Sequence, residues 1–344
     1  MKILVGMSGG VDSAFAASRL IEHGDSVEGA VLLMHEYTEV NEAGNCAEEL
    51  GIRLHTVDAR NSFNYIIKEN FACEYAAGRT PNPCILCNER VKFRVLLDYA
   101  LENGFDAIAT GHYARVVRVG DAHGARYAIG MAADARKDQS YMLYRLPQDI
   151  LSHLVLPLAD ITKEEVRALA GNSGIAAADR PDSQEICFLP DGGYADFVES
   201  VKGSFAEGNF VDVDGRILGK HKGIVNYTVG QRKGLGISLG ERAFVTKIDP
   251  VKNEITLSPD YVGVRRIWLR DTAFSGLHEL ALGESVRLQA RVRYKAPLAD
   301  AIVKMEADGE VSVSFDQHVK AAPGQSCVLY SEGIVMLGGV IEIH

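Results

Sequence analysis

The sequence predicts an α/β domain built on a parallel sheet, then a small central β-rich domain and a C-terminal β-barrel, with limits at 1–195, 196–263 and 264–344. Three observations predict this arrangement. The first 110 residues alternate short β-rich runs with helical periodicity. From about residue 196 the pattern changes to short strands bounded by glycine. A chain of 344 residues also exceeds what one hydrophobic core usually organises.

Taken in order, residues 3–5 read as a strand, 14–23 as a helix closed by Gly24, 27–33 as a strand and 42–50 as a helix closed by Gly51. Residues 53–57 give a third strand, 91–103 an amphipathic helix and 106–110 a further strand. This is βαβ rhythm, so a parallel sheet covered by helices is the economical architecture. Ligands in such folds bind at the carboxyl ends of the strands. Farther on, residues 242–248, 254–257, 285–294, 310–315 and 326–330 read as barrel strands, without internal repeats or low-complexity linkers.

Hydrophobic residues make up 47% and charged residues 24%, the mixture of an ordinary globular protein. No run of about 18 apolar residues occurs, and the opening Met1-Lys2-Ile3-Leu4-Val5 breaks at Gly6 before a signal-peptide core forms. The chain is therefore expected in the cytosol, with no membrane partner. Cysteines at 46, 73, 84, 87, 187 and 327 are too sparse and irregular for a secreted disulfide framework, which turns attention to chemistry or metal binding. The net charge of -10 excludes an indiscriminate nucleic-acid binder. Charge is unevenly spread, however. Residues 264–297 hold seven basic side chains (Arg265, Arg266, Arg270, Arg287, Arg291, Arg293, Lys295) against three acidic ones, a stretch that suits either a polyanion or a solvated barrel surface.

Directly after the first strand comes Gly6-Met7-Ser8-Gly9-Gly10-Val11-Asp12-Ser13, leading into a helix. Backbone N–H groups at such a turn, reinforced by the helix start, form a nest for phosphate. Gly9 and Gly10 let the backbone approach a ligand closely, Ser8 and Ser13 add hydroxyl donors, and Asp12 can hold Mg²⁺ against the phosphates. The segment has no G-K-[ST] ending and no GxGxxG, which argues against kinase-like transfer and dinucleotide binding.

A second constellation is the Cys84/Cys87 pair, in a loop stiffened by Pro81 and Pro83 just before the 91–103 helix. A thiolate near a helix start is expected to have a lowered pKa and to be a better nucleophile. Together with Cys187, three readings stand: a persulfide relay, a metal or iron–sulfur site, or small buried thiols of structural use.

The loop Ser8-Gly9-Gly10-Val11-Asp12-Ser13 resembles the PP-loop of the N-type ATP pyrophosphatases, which split ATP into AMP and pyrophosphate to adenylate a substrate. Gly78-Arg79-Thr80-Pro81-Asn82-Pro83-Cys84-Ile85-Leu86-Cys87-Asn88, Thr110-Gly111-His112-Tyr113-Ala114, Lys137-Asp138-Gln139-Ser140-Tyr141 and Tyr227-Thr228-Val229-Gly230-Gln231-Arg232-Lys233-Gly234-Leu235-Gly236 resemble, in the same order, segments of the tRNA 2-thiouridylases. The segments run over most of the chain.

The resemblance implies an adenine nucleotide α-hydrolase-like first domain and ATP-dependent 2-thiolation of a tRNA wobble uridine through an adenylated base. It implies ATP contacts at Gly6, Met7, Ser8, Gly9, Gly10, Val11, Asp12, Ser13, Leu32 and Gly111, with Cys87 as nucleophile and Cys187, in Ser183-Gln184-Glu185-Ile186-Cys187-Phe188, as the persulfide residue. Asn82, Pro83 and Cys84 fall beside the target base, and His112, Lys137, Asp138, Gln139, Arg293, Tyr294 and Gln325 at tRNA-contacting positions. Cys84 stands where many members carry Asp, and the segment after Val31-Leu32-Leu33-Met34 is shorter than usual. Cys84, Cys87 and Cys187 are accordingly also candidate ligands of a four-iron four-sulfur cluster. The implied partners are ATP with Mg²⁺, the tRNA anticodon loop, and a sulfur donor or relay protein.

Overall fold

A computed structural model gives the fold and describes every residue except 37, 39, 122–123, 173–174, 176, 178–185, 190–192, 238–239 and 241. The chain opens with β1 (Lys2–Gly6), α1 (Val11–Glu22), β2 (Ser26–Leu33), α2 (Val40–Glu49) and β3 (Leu54–Asp58). A helical run follows in three pieces, α3 (Arg60–Ser62), a wide π-type segment (Phe63–Lys68) and α4 (Glu69–Ala76). A second run joins α5 (Pro83–Cys87), another π-type segment (Asn88–Lys92) and α6 (Phe93–Glu102), and leads to β4 (Ala107–Ala109).

These strands, with β7 (Leu154–Val155), form a parallel sheet in the order β3-β2-β1-β4-β7. β1 is central because Ile3, Leu4 and Val5 are apolar on both faces, and all three are fully buried. α1 lies close on the sheet because Ala14, Ala16 and Ala17 present no bulk. It stops where Gly24, at φ 92°, lets Asp25 N–H reach back to Leu20 O at 3.0 Å and Gly24 N–H to Ile21 O at 2.9 Å. The sheet, and the strands expected for it, match the sequence reading closely.

The sequence reading does not place β7 or the two strands before it. β5 (Arg115–Asp121) and β6 (Gly124–Gly130) form a hairpin that leaves the parallel sheet, and Gly130 pairs with Ile334 of the barrel. After β6 come α7 (Gln148–Leu151), α8 (Lys163–Asn172) and α9 (Tyr194–Lys202). The central domain carries β8 (Gly208–Val211), β9 (Ile217–His221), β10 (Phe244–Asp249) and β11 (Glu254–Ser258), in the order β10-β11-β8-β9. The last six strands are β12 (Val264–Phe274), β13 (Ser285–Arg291), β14 (Ala299–Met305), β15 (Val311–Val319), β16 (Ser326–Ser331) and β17 (Ile334–Glu342). They run β12-β15-β14-β13-β16-β17, and pairing of β12 with β17 closes them into a barrel. Ile267, Val303, Val313, Leu337 and Ile341 fill its interior, all fully buried. β13 ends at Arg291 rather than at the expected 294, because Arg293 and Tyr294 lie in a turn. Among the described residues no helix is long and apolar enough to cross a membrane.

Candidate active site

The strand order reverses between β1 and β4, and the loops that leave their carboxyl ends diverge there to make a crevice. From β1 the 6–13 loop enters it, tied across its mouth by Ser8 N–H donating to Ser13 Oγ (3.1 Å), Ser13 Oγ donating to Gly10 O (3.0 Å), and Gly10 N–H to Ser8 Oγ (3.4 Å). Gly9 has φ 76°, and a Cβ there would lie 2.4 Å from Glu42 Cβ. Gly111, from the loop after β4, presses on the first turn of α1, where a Cβ would lie 2.5 Å from the Asp12 carbonyl carbon. Both glycines are therefore demanded by close approach as much as by any ligand. Val11 and Met7 are buried beneath the loop, and Leu32 is half-buried on β2.

The sequence reading gave Asp12 to Mg²⁺. In the structure its carboxylate already faces a cation, since Lys163 at the start of α8 places Nζ 2.6 and 2.7 Å from the two oxygens. Tyr113 Oη also donates to Asp12, at 2.7 Å. A magnesium ion entering with ATP would have to share or displace Lys163. Nothing local marked Lys163, which lies 151 residues from its partner.

Gln139 accepts from Tyr113 N–H at 2.9 Å, so the two motifs that carry these residues are cross-linked. Asp138 is 4% exposed, because it accepts from Ala132 N–H, Ser140 N–H and Ser140 Oγ and pairs with Arg291 at 3.3 Å. Lys137 is half-buried beside it.

The cysteine loop is wedged between the other two domains. Gly78 packs on Ile248 of β10, Thr80 N–H donates to Pro323 O at 2.8 Å, and Gln325 Nε2 donates to Thr80 O at 2.7 Å. Gln325 thus holds the loop. Pro83 starts α5 at the first helical turn, where its missing N–H costs nothing. The wide turn over Asn88–Lys92 shifts the register of the helix, and Lys92 faces the thiols. Burial works against its ammonium, but Cys87, Cys84 and Cys187 together more than offset this and hold its pKa above the ordinary value.

Cys87 itself overturns the expected activation by a helix start. It closes α5 rather than opening it, is 4% exposed, and burial pushes its thiol up to about 12, against the opposing pull of Lys92. Its Sγ lies 4.0 Å from Met34 Sδ, just past the end of β2. Cys187 is exposed as a residue, although the protein around its thiol raises that pKa too. Phe188 anchors the segment, with ring centroids 5.6 Å from Phe63, 5.4 Å from Phe71 and 5.1 Å from Phe197. Ser183, Gln184 and Glu185 lie outside the described residues.

None of the six cysteines is in a disulfide, and among the described residues no three His, Cys, Asp or Glu side chains form a metal-holding group. The cluster ligand set Cys84, Cys87 and Cys187 is thus not assembled here as such. His112 shares a 2.8 Å hydrogen bond with Thr110 Oγ1 and packs 5.4 Å from the Phe93 ring. Burial, then Lys92, lowers its pKa to about 3, so the imidazole is neutral at physiological pH.

The basic stretch is thinner than its composition suggested. Arg266, Arg270, Arg287 and Arg291 are engaged by Glu306, Glu74, Asp316 and Asp138, whereas Arg265, Arg293 and Lys295 have no ion pair among the described residues. Arg293 is exposed in its turn, and the half-buried Tyr294 packs 5.9 Å from Tyr141.

Compared with known proteins, residues 1–191 match the family described as tRNA methyl transferase HUP domain, 195–259 its PRC-barrel domain, and 266–341 an aminomethyltransferase beta-barrel domain. A protein named tRNA-specific 2-thiouridylase MnmA from Acetivibrio thermocellus is 42% identical, with 99% of each chain covered. Those of the same name from Lachnoclostridium phytofermentans and Treponema denticola are 42% and 38% identical, covering 99% of this chain and 99% and 98% of theirs. With about 40% identity over nearly the whole of both chains, the chain belongs to the tRNA-specific 2-thiouridylase family.

Proposed function

We propose that this protein uses ATP to adenylate O2 of a tRNA wobble uridine and then replaces that oxygen by sulfur carried on cysteine. The observation that carries the reading is the meeting of two chemistries. Met34, beyond β2, touches Cys87, and His112, beyond β4, packs on Phe93 of the cysteine helix, so strand ends that frame the phosphate loop also frame the thiols.

In the proposed sequence uracil O2 attacks the α-phosphorus and pyrophosphate leaves, with the 6–13 loop and Lys163 offsetting the phosphate charge. Mg²⁺ would supply further charge at Asp12. A persulfide on Cys187 then attacks C2 through its outer sulfur, and AMP leaves with the original oxygen. Cys87, deprotonated, attacks Cys187 Sγ, which frees 2-thiouridine and leaves a Cys87–Cys187 disulfide for a thiol reductant to reset. Since Cys87 begins as a neutral thiol, its proton must be lost during the cycle, and Lys92 favours the anion. The base must be unstacked to reach these groups, and exposed Arg293 suits a phosphate of the anticodon arm. The protein would work in the cytosol with a sulfur donor or relay protein.

The test labels the uridine. With ¹⁸O at O2 of the target base, the AMP released should carry the label; unlabelled AMP would refute adenylation of the base.

A further inference from the structure

Two asparagines bracket α5, and both hold the same methionine. Asn88, directly after Cys87, is 3% exposed and donates through Nδ2 to Met142 O at 3.0 Å. That bond fixes its amide orientation, and Asn88 Oδ1 is then buried without a hydrogen-bond partner. Asn82, before Pro83, points Nδ2 at Met142 Sδ, 3.5 Å away. A thioether is a weak acceptor, so this donor is poorly served. A buried acceptor without a donor is a cost that fold stability alone gives no reason to retain. Met142 is half-buried, unbranched and flexible, a side chain that moves aside easily.

We infer that Asn88 and Asn82 read the target base through its O4 and N3–H edge, with Met142 filling their pocket until the base arrives. This inference rests on the function proposed above. Uracil offers O4 as an acceptor for Asn82 Nδ2 and N3–H as a donor for Asn88 Oδ1, and leaves O2 free for ATP. Cytosine reverses both groups. Its amino group would face an amide donor and its bare N3 would face a carbonyl, so both contacts turn repulsive. The pair therefore selects uridine over cytidine beside the nucleophile. Resemblance had set Asn82 near the base; Asn88 and Met142 had no assigned part.

The experiment measures equilibrium binding of anticodon stem-loop RNAs that carry uridine, cytidine or 3-methyluridine at the target position. Wild-type protein is expected to bind uridine RNA at least tenfold tighter than either other RNA. Asn88→Leu should weaken uridine RNA by about tenfold to a hundredfold and bring the ratio near one. Met142→Leu, which keeps the bulk, should keep the preference. A folded Asn88→Leu with the wild-type ratio would overturn the inference, and so would loss of preference in Met142→Leu. The 3-methyluridine RNA needs no protein variant, and wild-type binding equal to uridine RNA would likewise overturn it. Product mass separates the two levels: absence of 2-thiouridine from wild type counts against the function, whereas thiolation with an unchanged ratio counts against the asparagine pair alone.

Discussion

Replacing Asp12 by Asn removes the charge that Lys163 faces while keeping shape. Lys163 has a side chain 6% exposed and Asp12 one 33% exposed, with contacts of 2.6 and 2.7 Å. Removing one partner of a fully buried ion pair costs about 3–5 kcal/mol. Partial exposure of Asp12 allows water to screen part of this, which leaves about 2 kcal/mol. For a domain of this size that is a fall of about 4–8 °C in the melting transition. Lys163→Met should lose less, because an exposed enough carboxylate can turn to water and its Tyr113 partner. The double variant should lose less than the sum of the two single losses, by a coupling of about 1–2 kcal/mol. Thermal melts of the four proteins measure this, and pyrophosphate release should fall in every variant. Additive losses, or an Asp12→Asn melt within one or so degrees of wild type, would refute the argument that Lys163 depends on Asp12.

Other predictions follow from the same geometry. Phe188→Ala should loosen the Cys187 segment, since three aromatic contacts go, and slow sulfur transfer while pyrophosphate release stays near wild type; equal losses in both assays would contradict that division. In alkylation at pH 8, Cys73 and Cys187 should react well before Cys87, and the Cys87 rate should climb about tenfold per pH unit up to about 12, because its raised pKa keeps it protonated below that; a plateau near pH 8 would contradict this. Arg293→Glu should weaken tRNA binding and flatten its salt dependence by about 0.7–0.9 in log–log slope per lost phosphate contact, whereas an unchanged slope would remove Arg293 from the interface.

What the sequence disclosed was local. The loop between β1 and α1 is legible because glycine, serine and aspartate at fixed spacing serve one turn, and the helices ending at Gly24 and Gly51 announce themselves by their caps. The cysteine loop was legible for the same reason. What escaped depends on distant partners. Lys163 meets Asp12 only because α8 packs beside α1, Asp138 is buried because Arg291 of β13 closes over it, and four of the seven basic residues in 264–297 find acids elsewhere in the fold. Lys92 escaped for a different reason. An ordinary α-helical period does not put it over the thiols, and the wide turn at Asn88–Lys92 that changes the register leaves no sequence signal. The reversed sign at Cys87 has the same root, for burial is a property of the packed helix, not of the loop that precedes it.

The central claim is sulfur transfer to tRNA, and mass spectrometry of nucleosides tests it most directly. Unmodified tRNA incubated with the protein, ATP, Mg²⁺, a sulfur source and a thiol reductant should yield 2-thiouridine, with AMP and pyrophosphate released in equal amounts. Methylated uridine, or nucleotide turnover with the uridine unchanged, would contradict it.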